Sequence, residues 1–203
     1  MPPDTSPRRE RLNAWLFRQR GRVLAPVLLV LPFCTWGEVE RDALNWSVGL
    51  ACLVGAFALR VWSRRYIGRS SDTRRAQAHR LATGGPYAWM RNPLYLANVL
   101  GIVGACVLTE LWWMIPIAGG LAFLHYDHLV RFEERLLASA HAPAADYLAQ
   151  VSRWVPHVPR GPADRSAPCW TWPESVFRER NRAAAIVGVV LLALLKEHFA
   201  GGV

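Results

Sequence analysis

The sequence predicts an all-α, polytopic integral membrane protein with about five transmembrane helices. Three observations carry that expectation. Apolar residues make up 52% of the 203 residues, with a mean hydropathy of +0.11, and they cluster in runs separated by short polar breaks. Ten tryptophans suit rings anchored where lipid meets water. The formal net charge is +9, nearly all of it arginine, with Lys196 the only lysine. These cations bracket the apolar runs, as the cytoplasmic loops of a membrane protein do. No basic run is interleaved with solvent-facing aromatics, so the charge argues against a nucleic-acid partner.

Taken in order, residues 1–22 hold Arg8, Arg9, Arg11, Arg18, Arg20 and Arg22, with Leu12, Trp15 and Leu16 at helical spacing. They read either as a basic amphipathic segment on the membrane surface or as a partly disordered basic tail. They lack an early apolar core with a cleavage site, which argues against a cleaved secretion signal. Val23 to Trp36 is a first apolar run, short for a span and interrupted by Pro26 and Pro32, so a kinked or tilted helix is expected. Residues 37–42 are net acidic and form the far-side loop. Ala43 to Val61 is long enough to span, and Arg60, Arg64, Arg65 and Arg69 place its end on the cytoplasmic side.

Leu94 to Leu108 and Leu111 to Leu124 are separated only by Thr109-Glu110, which predicts a tight antiparallel helical hairpin. Gly101, Gly104, Gly119 and Gly120 are expected to let those two helices approach closely. The fourth helix then continues into Arg131-Phe132-Glu133-Glu134-Arg135. Residues 131–182 are polar, with Leu136, Leu137, Tyr147, Leu148, Val151 and Trp154 at helix-like spacing until Pro156, Pro159 and Pro162. Ala183 to Leu195 is a last apolar run, read as a fifth membrane helix, with a helix lying along the surface as the alternative. This divides the chain into a basic segment (1–22), a transmembrane core (23–160) and a C-terminal extension (161–203).

Cys34, Cys52, Cys106 and Cys169 show no metal-like spacing and read as small apolar residues. His125 and His128, even with Asp127, lack a third ligand on one helix face, so no metal site is expected.

The chemistry is expected in two polar constellations. His79 to Tyr95 is a turn rich in glycine and proline that ends in Arg91-Asn92-Pro93, a cation and an amide before a helix-starting proline. Glu133-Glu134 lies at the cytoplasmic end of the fourth helix. Charges on membrane helices are costly and need a partner or a function. If the third and fourth helices pair, both constellations reach the same membrane face. Carboxylates there can hold an ammonium group or ribose hydroxyls, and Arg91 can grip a carboxylate through its planar fork. A zwitterionic sulfonium cofactor carries all of these groups. Each constellation alone also has a plain reading: a tight interhelical turn, and a solvated helix start with salt-bridge partners.

The ordered set Leu81-x-Thr83-x-Gly85-Pro86-Tyr87-x-x-x-Arg91-Asn92-Pro93-x-Tyr95, then Glu133-Glu134-x-x-Leu137, Tyr147 and Pro156, resembles the isoprenylcysteine carboxyl methyltransferase and phospholipid methyltransferase superfamily. Gly55-x-x-x-Leu59-Arg60-x-Trp62, with Gly68 after it, is similar to that superfamily's second helix. The resemblance spans about residues 50–157. It implies a helical, integral-membrane methyltransferase using S-adenosyl-L-methionine, with no Rossmann domain. It further implies a cofactor pocket at the cytoplasmic face lined by His79, Leu81, Gly85, Pro86, Tyr87, Arg91, Asn92, Pro93 and Tyr95, and completed by Glu133 and Glu134. Arg91 and Glu134 would position the reacting groups as the catalytic pair.

Two departures bear on the acceptor. Asn92 stands where isoprenylcysteine members usually carry His, and an amide does not titrate near neutrality. His141-Ala142-Pro143 replaces the usual Phe-Gly pair. The residues after about 160 match nothing in the superfamily pattern. Methyl transfer from a sulfonium is a direct displacement, mainly a positioning problem, so the lack of an evident catalytic His does not weigh against it. The expected acceptor is a hydrophobic small molecule or lipidated substrate drawn from the bilayer, an isoprenylcysteine carboxylate-like group or a lipid. Arginine-rich, lysine-poor coding points to a bacterial inner-membrane protein with a cytoplasmic N-terminus. The alternatives are a membrane reductase of sterol or steroid type, which would need NADPH and a longer chain, and a non-catalytic membrane scaffold.

Overall fold

A computed structural model describes Trp36 and residues 42–68, 81–140, 144–159 and 166–200. The expected N-terminal segment, the first apolar run up to Thr35, the loop at 37–41 and the stretch 69–80 that includes His79 lie outside these residues. Among the described residues the secondary structure is helical, without a strand. The helices are α1 (Asp42–Ile67), α2 (Pro93–Leu108), α3 (Gly120–Ala140), α4 (Ala144–Gln150), α5 (Trp172–Arg178) and α6 (Arg180–Ala200). A 3₁₀ turn, Gly85–Ala88, precedes α2, and a π-helical segment, Ile115–Gly119, leads into α3. Pro116 lies within that π segment and has no N–H to give to a tighter turn.

Among the described residues one helix, Ala43–Ile67, is long and apolar enough to cross a membrane, and α2 is a shorter apolar helix. The α1–α2 seam is a close one. A Cβ on Gly49 would lie 2.9 Å from the Leu108 Cβ, and one on Gly104 would lie 2.9 Å from the Cys52 Cβ and 3.1 Å from the Gly49 carbonyl. A Cβ on Gly101 would face Ala56 at 3.8 Å. Gly101 and Gly104 therefore serve the contact with α1, not the α2–α3 hairpin that their position suggested. The reason is complementarity: α1 offers its own small residues, Gly49, Cys52, Gly55 and Ala56, at helical spacing, and antiparallel pairing sets them against those of α2. Among the described residues, a Cβ on Gly119 would meet α2 at Val103 (3.6 Å), and one on Gly120 would meet nothing within 4 Å.

The expected turn between α2 and α3 is present and has a defined form. Glu110 takes φ +66°, its N–H donates to the Val107 carbonyl (3.0 Å), and the Leu111 N–H donates to the Cys106 carbonyl (2.9 Å). That is a Schellman ending, with Glu where glycine is usual. The Glu110 carboxylate accepts from Asn45 Nδ2 (3.0 Å), and Asn45 Oδ1 accepts from Trp112 Nε1 (2.8 Å), which ties the turn to the start of α1.

Behind the turn, Ile102, Ala105 and Cys106 of α2 form the core with Leu111 and with Ala118, Ala122, Tyr126 and Leu129 of the following helix. The helix predicted through Trp154 ends at Gln150. Beyond it, the Ser152 and Arg153 carbonyls accept from the Arg91 N–H (2.9 Å) and Asn92 Nδ2 (3.2 Å), so the backbone is committed to the site loop.

The last apolar run lies in α6. One side of α6 packs Ala193, Ile186, Val189 and Val190 near Leu53 and Leu108, and the other leaves Val187, Leu191, Leu194 and Leu195 exposed. Contacts at both ends show that α6 runs the depth of the bundle, antiparallel to α1. At one end Lys196 Nζ donates to the Thr109 carbonyl (2.8 Å), and at the other Glu179, just before α6, meets Arg60. Among the described residues four helices thus run side by side, with polar groups gathered at each end and apolar side chains between.

Candidate functional site

The site lies at the end of the bundle where α1 and α3 finish and α2 and α6 begin. Asn92 precedes Pro93 at the start of α2, and proline there has no N–H to leave unsatisfied. This fixes Arg91 and Asn92 beside the first turn, with Tyr95 one turn on. Tyr95 Oη donates to Glu133 Oε1 (2.7 Å), and Arg91 Nη1 lies 3.1 Å from Glu134 Oε1. The two constellations that the sequence set about 40 residues apart therefore touch, through both carboxylates.

Gly85, Pro86 and Tyr87 form the turn that leads into this pair, Leu81 precedes that turn in the chain, and His79 is outside the described residues. Tyr87 is 5% exposed, and its hydroxyl is buried without a hydrogen-bond partner. Burial, with the Tyr147 phenol and Glu133 nearby, pushes the Tyr87 phenol well above its usual range, so it stays a donor. Its carbonyl accepts from Tyr147 Oη (2.9 Å). Arg91 Nε is likewise buried and unpartnered. Orphaned buried polar atoms of this kind call for an explanation, and a ligand is one.

Gly85 has φ +57°, the left-handed region where a side chain is strained. The space its Cβ would fill holds the Tyr66 ring, and a Cβ on Gly84 would meet the Ser166 carbonyl. The glycines thus admit α1 and the C-terminal segment to the loop. Ser166 Oγ accepts from the Thr83 and Gly84 N–H groups (3.0 Å each), and its own N–H donates to Thr83 Oγ1.

Several site residues were not evident from the sequence. Arg153 forks onto Glu134, with Nη2 2.7 Å from Oε2 and Nε 3.2 Å from both oxygens. Its carbonyl holds Asn92, so one residue joins the loop to α3. The bond to Glu134 raises the Arg153 pKa further, which keeps it cationic. Asp127, about two turns before Glu134, accepts from Trp154 Nε1 (3.0 Å) and Arg131 Nε (2.6 Å). On the α1 side, Glu179 is 2% exposed and accepts from Arg60 Nε (2.8 Å), with Arg64 Nε at 3.5 Å. Arg60 Nη1 also donates to Asn98 on α2. The one signal that could have found Arg153 and Glu179 is the need of Glu134 and Arg60, on largely apolar helices, for opposite charges. Tyr126 is buried and Tyr147 is half-buried. Among the described residues no group of three or more His, Cys, Asp or Glu could hold a metal ion.

The family model described as phospholipid methyltransferase matches residues 44–144. The chain is 30% identical over 185 residues to the cobalt-zinc-cadmium resistance protein CzcN of Cupriavidus metallidurans, covering 88% of this chain and 76% of that protein. It is 28% identical over 160 residues to the nickel-cobalt-cadmium resistance protein NccN of Alcaligenes xylosoxydans xylosoxydans, covering 77% of this chain and 70% of that one. No solved structure matches the chain.

Proposed function

The chain belongs to the phospholipid methyltransferase family, and from that premise we propose that it transfers a methyl group from S-adenosyl-L-methionine to a hydrophobic acceptor taken from the bilayer. One observation supports this reading above the rest: Glu134 sits between Arg91 and Arg153, beside the Tyr95–Glu133 bond, with buried donors left over at Tyr87 and Arg91. The donor set fits the cofactor's groups. Glu133 and Glu134 suit its ammonium and ribose hydroxyls, Arg91 and Arg153 its carboxylate, and the Tyr87 hydroxyl a further acceptor atom. S-adenosylmethionine, when bound, supplies an electrophilic methyl group on a sulfonium.

What the protein contributes is position. The fork of Arg153 fixes Glu134, Glu134 fixes Arg91, and Pro93 fixes the backbone between Asn92 and Tyr95, so the polar groups are ordered before any ligand arrives. Asn92 spends its Nδ2 on the Arg153 carbonyl and is a positioning residue, not a base. A carboxylate acceptor needs no base, and an amine needs one only if it arrives protonated. In our reading about five helices cross a bacterial inner membrane, and the arginine-rich end of the bundle faces the cytosol. The exposed apolar side chains Val54, Leu121, Leu124, Val187 and Leu191 then face lipid. Membership of this family favours methyl transfer over the reductase alternative. By likeness to the two resistance proteins, we also propose that the reaction supports tolerance of divalent metal ions.

The test is calorimetry on the detergent-purified full chain. S-adenosylhomocysteine should bind and NADPH should not. Absence of any S-adenosylhomocysteine binding by folded protein would sink the proposal. Incubation of the chain in membranes with methyl-labelled cofactor, followed by mass spectrometry of the lipids, would identify the acceptor.

A further inference from the structure

The short helix α5 is built in an unusual way for a connector. Its N-terminus carries a complete capping box, with Thr171 and Glu174 bonding each other's backbone N–H groups, and Pro173 within the first turn. Only Ser175 turns inward, fully buried. The outward face is apolar, with Trp172 50%, Val176 46% and Phe177 65% exposed. Arginines flank this face and lie over its rings: Arg65 is 4.6 Å from the Trp172 centroid and Arg180 is 4.4 Å from that of Phe177. Arg178 covers Trp170 at 3.8 Å. The one exposed carboxylate of the helix is Glu174. Its pKa is lowered by its bonds to Thr171, so it stays charged, and the cations outnumber it.

The location matters as much as the composition. The helix sits where α1 ends in Arg64 and Arg65 and α6 begins with Arg180, the level at which the outer surface of the bundle changes from apolar to cationic. A rigid turn with apolar side chains outward and arginines at its rim matches a headgroup layer: apolar side chains in the acyl boundary, cations among phosphates. We propose that α5 is an interfacial anchor that seats on anionic phospholipid headgroups of the leaflet at the site end of the bundle.

Seating α5 would also brace the site. Just before it, Cys169 and Trp170 donate backbone N–H groups to the Arg65 carbonyl (2.7 and 3.2 Å), and Ser166 binds Thr83 and Gly84. Just after it, Glu179 holds Arg60 and Arg64. An anchor joined on both sides to the walls of the site keeps the mouth of the site at headgroup depth.

The experiment is hydrogen exchange on the full chain, one chain per nanodisc, in phosphatidylcholine alone and in phosphatidylcholine with phosphatidylglycerol. Amides of 171–180 should exchange more slowly in the anionic discs. Arg178→Gln with Arg180→Gln should remove that difference, at about fivefold per arginine, the factor corresponding to ~1 kcal/mol for one cation at an anionic surface. Exchange in α2 should not change and serves as the folding control. Val176→Ser with Phe177→Ser, a second variant that keeps the charges, should raise exchange in both lipids. Equal exchange in the two lipids would overturn the proposal, as would an anionic-lipid difference that survives loss of both arginines. Protection seen only with two chains per disc would point to a second copy as the occupant and overturn it too. The readout needs neither cofactor nor turnover, so it is independent of the methyltransferase reading.

Discussion

Replacing Glu134 with Gln tests the centre of the site, because the change keeps shape and removes only charge. The wild-type carboxylate is 12% exposed and receives Arg91 at 3.1 Å and the Arg153 fork at 2.7 and 3.2 Å. A fully exposed ion pair contributes ~0–1 kcal/mol, and breaking a fully buried one costs ~3–5 kcal/mol. With arginine side chains 15% and 27% exposed, the pair lies between those limits. The variant amide can still accept from one guanidinium but turns its NH₂ towards the other. The expected loss of stability is about 1.5–3 kcal/mol, the range for hydrogen bonds to charged groups. If Glu134 also contacts the cofactor, S-adenosylhomocysteine affinity falls about 10- to 150-fold, the same energy read as binding. Thermal unfolding and calorimetry in one detergent measure the two effects separately. The double variant Glu134→Gln/Arg153→Gln sharpens the test. Stability should partly return, with a coupling of about 1 kcal/mol or more, while affinity stays low. Affinity that recovers together with stability would show that Glu134 only braces the fold. Wild-type affinity in Glu134→Gln alone would refute its place in the pocket.

Gly104→Val should cost about 2 kcal/mol or more, because its new atoms would meet backbone of α1 at 3.1 Å, not the yielding end of a side chain; an unchanged unfolding temperature would contradict the seam. Glu179→Gln removes the buried carboxylate that Arg60 and Arg64 share, and should lower stability by about 3 kcal/mol, with the 166–170 segment exchanging faster by hydrogen exchange. The alkaline limb of stability tests the tyrosines. Burial pushes the Tyr147 phenol well above its usual range, so the folded state holds its proton after the unfolded chain has lost it. Its stabilisation is therefore complete below about pH 10, the unfolded value, and is lost as pH rises towards the folded one. Tyr147→Phe should flatten the fall in unfolding temperature above that pH without abolishing it, because Tyr87 shifts in the same direction. An unchanged alkaline slope would count against the burial of that hydroxyl.

Much of this site was legible because its parts are local in sequence and joined by one hairpin. Pro93 marks the start of α2, Thr109-Glu110 marks its end, and a helix returning from that turn must bring Glu133 and Glu134 back to the level of Arg91. The resemblance then said which side chains to follow, and among them Tyr95 meets Glu133 and Arg91 meets Glu134. The illegible parts are those whose partners come from far along the chain. Glu179 meets Arg60 across 119 residues, and no periodicity in either segment encodes that meeting. Arg153 is one arginine among many, and it follows a helix that ends earlier than the apolar spacing suggested. The glycines of α2 were assigned to the wrong neighbour for a related reason. A small-residue stripe says that something approaches closely, and only the matching stripe on α1 says what.

The distribution of charge along the chain leads to one further step. The segment matched by the family model, 44–144, contains Arg60, Arg91, Glu133 and Glu134, yet a further charged partner of two of them lies beyond it: Arg153 for Glu134 and Glu179 for Arg60. At the opposite end, Lys196 caps the Thr109 carbonyl where α2 finishes. A charge half-buried between apolar helices costs more alone than a paired one stabilises, so these late partners offset the burial of Glu134 and Arg60. The residues after 144 are therefore part of the site's electrostatics. Variation there can change how Glu134 and Arg60 are held while the motif from Leu81 to Tyr95 stays the same.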